Sequence, residues 1–149
     1  MDDLKNLYTN AIVKHYKAPR NFHEPEKANR KAAGNNPLCG DNFNVFIYID
    51  NGVIADIGYT GNGCAIATAS ASMMTERLKG ETEDEARAIF TQFIDLLAGR
   101  SASQPDSVLG DLSVFSGLRG YPPRIKCATL IWYTLKAALE GQKETVETE

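Results

Sequence analysis

From Asp41 to Thr60 the apolar residues recur at every second position, and the pattern breaks once, at Asp50-Asn51-Gly52. Phe43, Val45, Ile47 and Ile49 alternate with Asn42, Asn44, Phe46 and Tyr48. Beyond the break, Val53, Ala55, Ile57 and Tyr59 alternate with Ile54, Asp56, Gly58 and Thr60. A period of two sends alternate side chains to opposite faces of a strand. Asn-Gly accepts the positive φ angles of a two-residue hairpin turn. This stretch must therefore be an antiparallel hairpin with one apolar face, and other elements must cover that face.

The rest of the chain supplies helices for the purpose. Leu4, Leu7, Ala11, Ile12 and Tyr16 predict an amphipathic helix over 3–16, which Pro19 ends. Residues 19–37 are polar and hold Pro19, Pro25 and Pro37, which predicts a surface loop with a short strand at 30–33. Residues 66–79 are rich in Ala, Ser, Met and Leu, with Met73 and Met74 as helix core and Gly80 as the stop. Thr82 caps the next helix, over 81–98, whose first turn is acidic and whose stripe is Ala86, Ile89, Phe90, Phe93, Ile94 and Leu97. The long connection 99–123 carries an apolar patch at Val108-Leu109 and Leu112-Val114-Phe115, which predicts a short packed helix, with a docking surface as the alternative. A last helix runs from about Arg124 to Glu140 on Ala128, Ile131, Leu135, Ala138 and Leu139, and the ends 1–3 and 141–149 are expected to fray. The expectation is one α+β domain over 1–149, a small, about three-stranded antiparallel sheet with helices on one face and flanks.

A chain of 149 residues with 43% hydrophobic content buries a core without covalent staples. Its three cysteines cannot pair completely, which excludes a disulfide framework. A net charge of −3 offers no electrostatic reason to bind nucleic acid or an anionic membrane. No apolar run approaches the ~20 residues that span a bilayer. The start, Met1-Asp2-Asp3-Leu4-Lys5, lacks the basic and apolar blocks of a signal peptide. A reducing cytoplasm is the expected setting, so the cysteines read as free thiols or metal ligands.

Each cysteine falls at a junction. Cys39 stands before Gly40-Asp41 at the entrance to the long strand, Cys64 follows Gly61-Asn62-Gly63 at a helix start, and Cys127 follows Pro122-Pro123-Arg124-Ile125-Lys126 at the opening of the last helix. Helix N-termini favour thiolate at Cys64 and Cys127, and Arg124 and Lys126 act in the same sense. Cys39, Asp41, Cys64 and Cys127 would offer three sulfurs and one oxygen, a set suited to tetrahedral zinc or to iron in a sulfide cluster. The alternative is that each is a small buried hydrophobe. With 22 residues between Asp41 and Cys64 and 62 between Cys64 and Cys127, no compact zinc-finger spacing decides between these readings. His15, beside Lys14 and Lys17, is expected to face solvent, and His23 to sit in a polar loop.

Asn35-Asn36-Pro37-Leu38-Cys39-Gly40-Asp41, the stretch Gly61 to Thr75, and Arg124-Ile125-Lys126-Cys127-Ala128-Thr129-Leu130-Ile131-Trp132 resemble, in order, the three cysteine motifs of the U-type iron–sulfur assembly proteins. His15-Tyr16-Lys17-Ala18-Pro19-Arg20-Asn21 fits as well, although Lys14 stands where an acid is usual. The likeness runs from about residue 4 to 140. Lys126 occupies the place of a ligand histidine usual in the IscU branch, and 99–123 resembles the insertion of the SufU branch. The resemblance implies that Cys39, Asp41, Cys64 and Cys127 hold one zinc ion. It further implies that Cys39 accepts persulfide sulfur from a SufS-type cysteine desulfurase. The chain would then be a carrier rather than a free-standing turnover enzyme, and downstream iron–sulfur assembly proteins would receive the sulfur. The second reading is a scaffold whose same ligands hold a nascent [2Fe–2S] or [4Fe–4S] cluster. A closed structural zinc domain and a cysteine hydrolase using His15 or His23 complete the alternatives.

Overall fold

The computed structural model describes residues 10–100, 108–142 and 144–147. The hairpin is there: β2 (Asp41–Asp50) and β3 (Val53–Asn62) pair antiparallel about Asn51 and Gly52, with φ of 53° and 78°. A register shift at Tyr48/Ile49 changes which residues of β3 face inward near the turn. Simple alternation expects Val53 and Ala55 inside. The bulge instead buries Ile54 completely and leaves Ala55 exposed, because one extra residue inverts the side-chain phase.

The strand expected at 30–33 extends to β1 (Arg30–Asn36), antiparallel to β2. A fourth strand, β4 (Val146–Glu147), lies parallel to β1 beside Gly34 and Asn35. The sheet order is β3-β2-β1-β4, so it is a four-stranded mixed sheet where about three antiparallel strands were expected. The difference lies in a polar tail that shows no strand pattern and is recruited by the otherwise open edge of β1.

Helices cover one face. Helix α1 (Asn10–Lys17) lies on α2 (Ala65–Leu78), and α3 (Glu83–Leu97) follows a capping box between Thr82 and Glu85. The expected residues 3–9 of the first helix lie outside the described residues. A 3-10 segment over Gly110–Gly120 buries Leu112, Phe115 and Leu118, which is the packed helix expected from the apolar patch. Helix α4 (Pro122–Glu140) opens with prolines at its first positions and runs along β1 and β2. Phe93 stacks on Trp132 with ring centroids 4.5 Å apart and meets Phe115 edge-on at 5.7 Å, joining α3, the 3-10 segment and α4. No helix among the described residues is long and apolar enough to cross a membrane.

His15 departs from expectation. It is 6% exposed, its Nδ1 is 2.7 Å from Ser72 Oγ, and its Nε2 is 3.7 Å from Glu76 Oε1. Helix α1 turns this face onto α2, a contact that helical spacing in α1 alone does not reveal. His23 is exposed, as expected.

Candidate metal centre

At one end of the sheet, three chain segments bring the predicted ligands together. The first is the turn between β1 and β2. Cys39 N–H and Gly40 N–H both donate to Asn36 O, at 3.2 and 2.9 Å, and Leu38 N–H donates to Asn36 Oδ1 at 3.2 Å. That Asx turn folds the chain sharply, with Gly40 at φ 75°, and presents Cys39 at its tip. Asp41, the next residue in, is 1% exposed.

The second segment is the start of α2. Cys64 is its N-cap, and Cys64 Sγ accepts from Ala67 N–H at 3.4 Å. Cys64 N–H donates to Asp41 Oδ1 at 2.9 Å, and Cys64 Sγ lies 3.9 Å from Asp41 Oδ2. Gly63 makes this approach possible: a Cβ there would stand 2.8 Å from Asp41 Oδ1 and 2.9 Å from the Phe43 ring. The third segment is α4, whose Cys127 Sγ is 3.6 Å from Cys39 Sγ.

Ligand atoms of Cys39, Asp41 and Cys127 all lie within 4.8 Å of one another, and Cys64 adjoins this triad through Asp41 and Cys127. Zinc–sulfur bonds of ~2.3 Å put tetrahedral sulfurs ~3.8 Å apart, close to the Cys39–Cys127 separation. Two sulfurs and a carboxylate oxygen thus stand at a spacing that suits zinc, while Cys64 lies outside that close group and beside it. The full donor set of three sulfurs and one oxygen has the chemistry of zinc or of iron in a sulfide cluster. Neither His15 nor His23 belongs to the group. Lys126 instead lines a shallow cavity with Ile94, Ala98, Arg100 and Tyr133.

Exposure grades across the site. Cys39 is exposed, Cys64 half-buried and Cys127 buried. The thiols also divide by acidity. A hydrogen bond from Cys127, helped by Ala67 N–H, draws Cys64 down to about 6 against the opposing effect of burial. Cys127 moves the other way, because the same hydrogen bond and burial hold its proton in place. The expectation of a helix-stabilised thiolate therefore applies to Cys64 and not to Cys127. Helix α4 begins two residues earlier than the spacing suggested, which puts Cys127 in the second turn, where the dipole has faded and burial governs.

Among the described residues, two buried side-chain atoms have no hydrogen-bond partner: Tyr59 Oη, on a phenol that burial pushes up to about 12, and Asn36 Nδ2. An unmade buried hydrogen bond costs about 1–3 kcal/mol, so each such atom needs a reason. In the sequence Tyr59 reads as an apolar strand position and Asn36 as part of the first cysteine motif and its turn, and neither signal points to an unpaired polar atom.

Residues 7–129 match the family model for the NifU-like N terminal domain. The zinc-dependent sulfurtransferase SufU of Bacillus subtilis is 38% identical, with 95% of each chain covered. The iron–sulfur cluster assembly scaffold protein IscU of Streptococcus pyogenes is 35% identical over 94% of this chain and 87% of its own. Among solved structures, a putative iron–sulfur cluster assembly scaffold protein for the SUF system from Fervidobacterium islandicum superposes with a TM-score of 0.84. The two are 32% identical, over 89% of this chain and 96% of that one. A NifU-like N-terminal structure from Brucella abortus, at 21% identity and a TM-score of 0.85, shares the fold.

Proposed function

This chain belongs to the NifU-like N-terminal domain family of iron–sulfur cluster assembly proteins, and on that premise we propose that it is a zinc-dependent sulfurtransferase. It accepts persulfide sulfur from a SufS-type cysteine desulfurase, with Cys39, Asp41, Cys64 and Cys127 as zinc ligands and Cys39 as the acceptor. The observation that carries the reading is the gradient of exposure. Asp41 and Cys127 are each 1% exposed, while Cys39 stands in solvent beside Leu38, which is 76% exposed. One member of the set is thus built to be reached by another protein while its neighbours stay enclosed.

Bound zinc would stabilise thiolate in the set and, having no redox chemistry, would leave the sulfur's oxidation state alone. The chain's own residues do the remaining work. The Asn36 turn holds Cys39 outward, and Leu38 offers an apolar anchor to the partner. The Cys39 thiolate attacks the outer sulfur of the desulfurase cysteine persulfide. A sulfur–sulfur bond forms at Cys39, the bond inside the donor persulfide breaks, and the desulfurase cysteine leaves as thiolate. Sulfane sulfur moves and no external oxidant is consumed. Asp41 and Cys127 remain in place because both are packed beneath the turn.

The test combines protein, SufS-type desulfurase and cysteine, followed by alkylation and intact mass under non-reducing conditions. Wild type gains one sulfur atom on Cys39, and Cys39→Ala gains none. If Cys39→Ala is persulfidated as fast as wild type, Cys39 is not the acceptor. Metal analysis after anaerobic isolation separates the scaffold reading, which requires stoichiometric iron and labile sulfide in place of zinc.

A further inference from the structure

Asn36 ends β1 and pairs across the sheet with Asp41, the first residue of β2. Directly opposed residues of antiparallel strands send their side chains to the same face. The Asn36 amide therefore shares the Asp41 face, which α4 covers. Strand β1 runs opposite to α4: Arg30 Nη1 donates to Leu139 O, a Cβ on Gly34 would touch Thr134 Oγ1 and Leu130 Cδ1, and Cys39 meets Cys127. Along the chain Asn36 lies between the last two of these contacts, on the strand face that leads into the Cys39 turn. Its side chain is 1% exposed, its Oδ1 is taken by Leu38 N–H, and its Nδ2 is the unpartnered atom.

The donor set explains what that atom is for. Three thiolates and a carboxylate around a divalent ion leave two net negative charges, with Asp41 and Cys127 out of reach of water. Enclosed charge of this kind requires N–H donors. Ala67 N–H serves Cys64 Sγ and Cys64 N–H serves Asp41 Oδ1, while Cys39 Sγ and Cys127 Sγ meet other thiols.

We infer that Asn36 is a positioning residue of the metal centre, its Nδ2 donating to a thiolate sulfur of the Cys39–Cys127 pair when metal is bound. Its Oδ1 meanwhile shapes the turn that carries Cys39. The inference rests on the ligand reading above and adds a residue to it.

Chelator competition with zinc alone tests it, on wild type, Asn36→Ser and Asn36→Ala. Loss of a supporting hydrogen bond around a metal typically costs 10–100-fold in affinity, and both variants are expected to bind zinc that much more weakly. Asn36→Ser keeps an acceptor near Leu38 N–H, so turn formation alone predicts unchanged affinity for it. Melting temperatures give a second readout. Protein stripped of metal is expected to melt no lower in Asn36→Ser than in wild type, because a buried unmade bond has gone, whereas the zinc-loaded variant melts lower. With cobalt(II) in place of zinc, the thiolate-to-metal charge-transfer band moves to lower energy once the N–H···S bond is lost. Wild-type zinc affinity and an unmoved cobalt band in Asn36→Ser would overturn the inference. If wild type itself takes no zinc, the ligand reading fails first. If wild type binds and Asp41→Ala does not, that reading stands whatever Asn36 does.

Discussion

At the scale of single residues, His15 shows how burial sets chemistry. Burial holds its pKa below the usual 6.5, and the nearby Glu76 carboxylate only partly offsets this. Ser72 Oγ accepts from Arg20 N–H at 2.8 Å, leaving the hydroxyl proton for His15 Nδ1. The folded chain thus favours the neutral form of His15 more than the unfolded chain does. The unfolded chain takes up a proton at ~6.5, the folded chain only at lower pH. The contribution of His15 to stability is therefore complete above pH 6.5 and is lost as pH falls below it. Urea midpoints of wild type and His15→Gln across pH 5–8 are expected to differ by a constant amount above 6.5. Below that, wild type loses its advantage with a slope of at most about 1.4 kcal/mol per pH unit. A pH-independent difference would mean that His15 does not titrate in this range. Neither this contact nor the Asn36 orphan was legible beforehand, since both depend on what another segment lays against the residue.

Among the elements, the join between β3 and α2 decides the geometry of the site. Gly63 lets Asp41 and the Phe43 ring pack directly against the chain just ahead of Cys64. Gly63→Ala must push the Asp41 carboxylate or Phe43 aside, and overpacking of this kind destabilises by about 1–3 kcal/mol. Denaturant unfolding is expected to show that loss, and chelator competition a weaker zinc site, because the displaced carboxylate is one of the four proposed donors. Normal zinc affinity in a destabilised Gly63→Ala would place the strain on Phe43 alone. Sequence patterning located the hairpin, α2, α3 and α4 because each has a strong local period and a clear cap or turn. It missed β4 and the inverted phase of β3: the first has no pattern of its own, and the second follows from one bulge between Tyr48 and Ile49.

For the whole molecule, the question is whether the proposed metal would hold the fold or the fold would hold the metal. The core runs from Ile12 through the sheet to Trp132, Phe93 and Phe115, and the site occupies one end of it. Removing metal from a purified sample is expected to lower the melting temperature while the far-UV circular dichroism at 25 °C stays folded. Readdition of zinc then restores the higher value, with a stabilisation that grows as the logarithm of one plus free zinc over Kd. Unfolding on chelation would instead mark a structural zinc domain.

The α+β plan, the hairpin and the set of residues with metal-binding chemistry follow from the order of residues, because period, turn chemistry and donor type are local properties. That Cys39, Asp41, Cys64 and Cys127 adjoin was carried in the sequence only by likeness to a family; their intervals say nothing of it. Folding in space sets the order of exposure, the opposite shifts of the Cys64 and Cys127 thiols, and the burial of Asn36 Nδ2 without a partner. Those properties arise where the β1–β2 turn, the start of α2 and α4 close on one another, and distance through space and exclusion of water have no counterpart along the chain.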